Sequence, residues 1–285
     1  MASLILHPAT KTQIESFIST PSHALLLYGP AGSGKMALAM QVASKILKVD
    51  VSKISSYPYV NIVDAGKISS DGIETVRQLE HLLSLKVPRS GINRIVIINT
   101  ADALSIEAQN ALLKTIEEPP AGTVVILTAQ NQASILPTIV SRAQSIMLNR
   151  PAKNLLINYF EKAGYLPTKV NMAYATSGGL PGLMHALLTD ETHPLFGATV
   201  MARKLLQLPL YERLLLVDEL TKQRPLVIDT LFIMQQMAHL RLASSENKQF
   251  RRWQRILKAS YEASEQLEKN AQLKIVLDSL ILKLN

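Results

Sequence analysis

The chain of 285 residues contains no cysteine. Disulfides and thiolate-held zinc are thereby excluded, and a reducing compartment suits it. Long apolar runs are missing too: no stretch approaches the ~18 uninterrupted apolar residues of a membrane helix. The first ten residues hold a four-residue apolar patch and no charged leader, so a signal peptide is not expected and a cytoplasmic location is. Internal repeats and low-complexity segments are absent. Acidic side chains are in the minority: 22 Asp+Glu face 30 Lys+Arg, a net charge of +8. That balance favours a polyanionic partner without identifying one. What the chain does have is apolar mass, 47% of its residues, enough for a sizeable core. Its length suits about two to three domains.

The rest is organised around Ala24-Leu25-Leu26-Leu27-Tyr28-Gly29-Pro30-Ala31-Gly32-Ser33-Gly34-Lys35-Met36. A short apolar strand breaks into a glycine-rich turn and then a helix over 36–48. Gly29, four residues, Gly34 and Lys35 fit the phosphate-binding loop up to its last position. Glycines let consecutive backbone N–H groups converge on an anion, the helix N-terminus adds positive dipole, and lysine reaches the outer phosphates. The last position calls for Ser or Thr, whose hydroxyl holds Mg²⁺, and here it is Met36. The loop 29–36 (Gly29, Pro30, Ala31, Gly32, Ser33, Gly34, Lys35 and Met36) is thus a cradle for ATP or ADP that lacks one metal handle. The bland alternative is a strand–turn–helix that happens to carry glycines.

Around it, helical spacing of Ile14, Phe17 and Ile18 predicts a helix over 7–20. Strands are expected at 24–28, 59–63, 94–98, 123–128 and 145–148. Helices are expected at 70–83, 105–117 (capped by Ser105 and stopped by Glu118-Pro119-Pro120) and around 136–142, with a turn at 88–91. Alternating strands and helices mean a parallel sheet covered on both faces, with ligand at the carboxyl ends of the strands. Beyond Arg150-Pro151 strand signals stop. Helices follow at 153–163, 170–176, 183–188, 196–207, 210–222 and 225–243, and over 247–283 with one break. Gly178-Gly179-Leu180-Pro181-Gly182 is a hard stop, and 189–194 reads as a linker.

Asn110-Ala111-Leu112-Leu113-Lys114-Thr115-Ile116-Glu117-Glu118-Pro119-Pro120, followed by Leu136-Pro137-Thr138-Ile139-Val140-Ser141-Arg142, closely resembles the AAA+ clamp-loader subunits: bacterial DNA polymerase III gamma and delta-prime proteins and the replication factor C small subunits. Ser22-His23-Ala24-Leu25-Leu26 and Ile73-Glu74-Thr75-Val76-Arg77 resemble the same family. The likeness is specific over about residues 5–150 and architectural beyond. It implies an α/β AAA+ P-loop domain over 1–150, a small helical lid over 151–193 and an all-α oligomerisation collar over 194–285. It also implies partners: the other subunits of a pentameric ring, a sliding clamp and primer–template DNA, with no membrane.

Departures from that family are specific. In active members the strand matching 95–98 ends in Asp-Glu, the first for Mg²⁺ and the second for the attacking water. Here those positions are Asn99 and Thr100. An amide brings no charge to a hard dication, and threonine is no carboxylate base. Asp102 nearby reads as a helix-start residue. No arginine stands in the lid stretch 179–182, where relatives carry one that touches the γ-phosphate. Arg142 is retained, and in the family it reaches into the neighbouring subunit's ATP site. A guanidinium suits phosphate oxygens, and the alternative is a surface arginine ending a helix. Thr128 falls where relatives place a polar γ-phosphate sensor, or is simply a strand-end threonine. The zinc module of relatives is absent, so no metal ligand is assigned. A spoiled site with a preserved finger resembles the delta-prime type. The rival is a gamma-like ATPase with unorthodox ligands; a small P-loop kinase and a pure nucleic-acid binder stand further off.

Lys248-Gln249-Phe250-Arg251-Arg252-Trp253-Gln254-Arg255-Ile256-Leu257-Lys258 carries five basic residues and no acid. It is either a phosphate-contacting helix or a solvated face opposite a stripe of Phe250, Trp253 and Leu257.

Overall fold

The structure, a computed structural model, describes residues 4–67, 94–189, 194–242 and 248–284. The helix expected over 70–83 and the turn at 88–91 lie outside these residues. The chain falls into two compact units, Met1–Arg150 and Pro151–Asn285.

In the first unit, α1 (Pro8–Ser19) leads to β1 (Ala24–Tyr28), α2 (Lys35–Leu47), β2 (Val60–Asp64) and β3 (Arg94–Asn99). Then come α3 (Ile106–Glu117), β4 (Thr123–Ala129), the short α4 (Pro137–Val140) and β5 (Gln144–Met147). The strands form one parallel sheet in the order β2-β3-β4-β1-β5. Its central strands are apolar between their ends because helices cover both faces. Successive side chains alternate between the faces. Leu25, Leu27, Ile95, Ile97, Val124 and Ile126 pack with Phe17 of α1 and with Leu38 and Val42 of α2. Leu26, Val96, Ile98, Val125 and Leu127 pack on the other face with Ala108, Leu112 and Ile116 of α3.

Local chemistry sets the helix ends. Ser105 caps α3 by accepting from the Ala108 N–H at 3.1 Å, and Pro119 follows its end. Buried Thr10 ties α1 to the sheet edge: its hydroxyl donates to Met147 O at 3.0 Å and accepts from Asn149 N at 3.3 Å.

The second unit is helical among the described residues: α5 (Lys153–Lys162), α6 (Pro167–Ser177), α7 (Pro181–Thr189), α8 (Pro194–Gln207), α9 (Leu210–Leu215), α10 (Val217–Leu220), α11 (Arg224–Leu242), α12 (Lys248–Glu268) and α13 (Leu273–Lys283). A single apolar cluster runs from Leu180 and Leu183 through Leu205, Leu231 and Ile256 to Ile281. Gly178 closes α6 at φ 65°, and a Cβ there would sit 2.9 Å from Gln236 O of α11, so both conformation and proximity call for glycine.

Two expectations change, and the single break expected in 247–283 is located. The helix over 210–222 is two, because Leu216 N turns to Arg213 O at 3.2 Å, a tighter i→i−3 bond that interrupts the α pattern. The break in 247–283 falls at Asn270, whose φ of 59° suits a C-terminal cap, with Ala271 N bonded back to Gln266 O at 3.0 Å. Phe250 is not in the core stripe. It is 41% exposed, while Ile256, Ala259, Ala263 and Leu267 form the buried face.

Candidate functional site

The glycine loop leaves the carboxyl end of β1 and enters α2 through Gly34, whose φ of 91° is left-handed. Gly32 is likewise at φ 76°. A Cβ on Gly34 would meet nothing within 4 Å, so the approach to this residue is open. The first turn of α2 leaves N–H groups without intrahelical acceptors, which is what an anion requires. Ser33 Oγ is buried among the loop atoms with no hydrogen-bond partner. These features fit the phosphates of a nucleotide.

Lys35 is turned onto its own loop: Nζ donates to Gly29 O at 2.6 Å and to Pro30 O at 2.9 Å. Burial pulls its pKa down to about 8, against the opposing pull of Asp102. Asp102 lies in the 3-10 turn Ala101–Ala103. One of its oxygens accepts from Gln130 N at 3.0 Å, and the other is buried without a partner. The sequence places Asp102 beside the strand motif but gives no sign that its charge reaches Lys35, which depends on the β3–β4 crossover.

At the carboxyl ends of β2, β3 and β4, Asn99 Nδ2 donates to Asp64 Oδ1 at 3.2 Å. Thr128 Oγ1 donates to Asn99 Oδ1 at 2.7 Å and accepts from Thr100 N at 2.9 Å. Thr128 is fully buried, so its proton is committed to Asn99. Thr100 sits at φ 56°, an uncommon conformation for a β-branched residue. The amide of Asn99 therefore bridges two strands, serving as donor to one and acceptor to the other, where a carboxylate would have offered only acceptors. Among the described residues no group of three or more His, Cys, Asp or Glu could hold a metal ion. Neither Met36 nor Asn99 offers the hydroxyl or carboxylate oxygen that Mg²⁺ beside a nucleotide would use.

Arg142 stands elsewhere. Nε pairs with Glu117 Oε1 at 2.8 Å, and Nη1 donates to Thr138 O at 3.0 Å. It precedes Gln144, which is level with Leu25 near the amino end of β1. The glycine loop begins four residues further along that strand, at about 3.3 Å per residue some 13 Å away. The sheet thus separates Arg142 from its own loop.

A parallel sheet in this order, with a glycine loop between β1 and its following helix, defines an AAA+ P-loop α/β domain. The family described as DNA polymerase III, delta subunit, matches residues 10–152, and the chain belongs to it. It is similar to the DNA polymerase III subunit delta' of Pseudomonas aeruginosa, 29% identical over 56% of this chain and 54% of that protein. It is also similar to a probable replication factor C subunit 3 of Dictyostelium discoideum, 28% identical over 55% and 54%. The matches span about half the length of these relatives. The crystal structure of a DNA polymerase III gamma subunit-related protein from Thermotoga maritima shares the fold at a TM-score of 0.55 and 17% identity, covering 96% of this chain and 98% of that one.

Proposed function

We propose that this chain is a delta-prime-type subunit of a DNA polymerase III clamp loader, acting in the cytoplasm to help place a sliding clamp on primed DNA. It supplies Arg142 in trans to the ATP site of a neighbouring subunit and hydrolyses little or no ATP itself. The observation that carries this reading is the position of Arg142: exposed, and separated from its own loop by the length of β1. A guanidinium held there serves another subunit's phosphates, where it neutralises charge developing in the transition state. The names of the relatives support the assembly. No described helix is long and apolar enough to cross a membrane.

Within the chain's own site, Gly29, Pro30, Ala31, Gly32, Ser33, Gly34, Lys35 and Met36 would surround the phosphates of ATP or ADP. Lys35 would exchange the Gly29 and Pro30 carbonyls for phosphate oxygens. Thr128 would sense the γ-phosphate only through Asn99, to which its proton is given. Asn99 and Thr100, where active relatives place Asp-Glu, support this delta-prime reading, in which the chain is a stator that completes a neighbour's site, over a gamma-like ATPase. Residues 151–193 would serve as the lid and 194–285 as the collar. Exposed apolar side chains such as Tyr211, Leu215 and Ile275 offer that collar surface to neighbours.

The test is co-purification with candidate replication subunits, followed by ATP turnover of wild-type, Arg142→Ala and Lys35→Ala assemblies. Arg142→Ala should cripple turnover and Lys35→Ala should change it far less. Equal losses, or vigorous turnover by the isolated chain, would overturn the assignment.

A further inference from the structure

Two arginines of the helical unit meet at the end of α8. Arg213, on α9, is 7% exposed. Its Nε donates to Leu208 O at 2.6 Å, and its Nη1 is buried with no hydrogen-bond partner. Arg252, near the start of α12, donates through Nη2 to Leu206 O at 3.0 Å. Both therefore use the unpaired carbonyls at a helix C-terminus, where positive charge is favoured. Each guanidinium carries five donors and makes one hydrogen bond among the described residues. Neither residue forms an ion pair among the described residues. Burial, and then the positive charge of Arg252, pull the Arg213 pKa below its ordinary value. Two like charges thus meet beside the end of α8, one of them buried.

The same helix continues the cationic surface. One to three turns further on, Arg255, Lys258, Ala259 and Glu262 of α12 and Leu282 and Lys283 of α13 line a cleft of about 420 Å³. Its single carboxylate, Glu262, is shared by two ammonium groups, Lys283 at 2.8 Å and Lys258 at 3.9 Å. Arg251, Arg255 and Lys258 recur at i, i+4 and i+7 and so lie along one face. Ile256 and Ala263 are buried away from it. From 249 to 261 the sequence contains no acid. Arg252 and Lys258 are about 9 Å apart along the helix axis, at about 1.5 Å per residue.

From this exposed, acid-free run of Arg251, Arg252, Arg255 and Lys258 we infer that the amino-terminal half of α12 is a binding surface for the sugar–phosphate backbone of DNA. This rests on the reading of primer–template DNA as a partner, and it assigns part of that contact to the helical unit. A lone carboxylate from a protein would satisfy one cation. A backbone with evenly spaced charges satisfies several along one helix, and guanidinium forks match its oxygens in pairs.

The test uses the full chain alone with a fluorescein-labelled primer–template, followed by anisotropy across a salt series. Neither ATP nor other subunits are present, so the outcome is independent of Arg142. Wild type should bind with a marked salt dependence. The Arg252→Ala/Arg255→Ala/Lys258→Ala variant should lose at least about tenfold in affinity. Its slope of log K against log salt should shrink by about two to three, at ~0.7–0.9 per phosphate contact. A control, Lys11→Ala/Lys162→Ala/Lys269→Ala, removes the same charge elsewhere and should retain wild-type binding. Circular dichroism and melting temperature verify that both variants fold. Equal losses in the two variants, an unchanged slope in the first, or no DNA binding by wild type at low salt would each overturn the proposal. If turnover in the assembly still depends on Arg142, such a result leaves the stator reading intact.

Discussion

Arg142 Nε stands 2.8 Å from Glu117 Oε1, joining the end of α3 to the segment that leads into β5. Both side chains are more than 40% exposed, so the pair contributes little to stability, on the order of 0–1 kcal/mol. Arg142→Ala should therefore leave the chemical-denaturation midpoint of the isolated chain nearly unchanged. In the assembled loader it should lower ATP turnover by ~10³-fold or more, the usual worth of an arginine finger. Arg142→Lys should rescue little, because an ammonium lacks the planar fork.

Thr128→Val tests the network at the sheet's carboxyl ends. The substitution leaves Asn99 Oδ1 and Thr100 N without the hydroxyl that joins them at 2.7 Å and 2.9 Å. Both lose a buried partner, so urea unfolding should show a loss of about 1–3 kcal/mol.

Thr100 holds a left-handed conformation at φ 56°. For an L-residue that costs roughly 1–2 kcal/mol, a cost that glycine avoids at some expense in unfolded-state entropy. Thr100→Gly should raise the unfolding free energy by ~1 kcal/mol, read from the same denaturation curves.

The lowered pKa of Lys35, about 8, sets a sign for pH dependence. Between about pH 8 and the ordinary lysine value of 10.5 the unfolded chain binds more protons than the folded one. Stability from this group therefore rises with pH across that window, and below pH 8 the burial penalty is present in full. The melting temperature of wild type relative to Lys35→Gln should increase from pH 7.5 to pH 10. Phosphate affinity should move the opposite way, weakening as Lys35 loses its charge.

Removal of divalent cations provides a separate check on the loop. With Met36 offering no hydroxyl, and Asn99 bonded to Asp64 and Thr128, chelation of Mg²⁺ should change the affinity for ADP less than about threefold, measured by titration calorimetry. A Ser or Thr at this position would couple nucleotide and metal.

Much of the architecture follows from local chemistry. Ser105 followed by an apolar period and ended by Pro119 can only be a capped helix, and the Leu25–Leu27 run must be a strand buried on both faces. The break after Arg150 is visible because β-branched runs stop there. Other features depend on distant parts of the chain. Asn99 reads as a lost metal ligand, but its bonds to Asp64 and Thr128 exist only because β2, β3 and β4 are neighbours in the sheet. Phe250 has helical spacing with Trp253 and Leu257, yet it lies at the start of α12, where the core face has turned toward Ile256. The Arg213–Arg252 meeting has no local signal at all, since the two are brought together by the end of α8.

The level pairing of Gln144 with Leu25 gives the first unit a polarity. A cationic tip marks one rim of the sheet and an anion cradle the other, so two copies facing each other across a two-fold axis would set like against like. Contacts that use both rims must run head to tail. If this chain hydrolyses no ATP, its place in such a row would be at an end, with its arginine toward a neighbour.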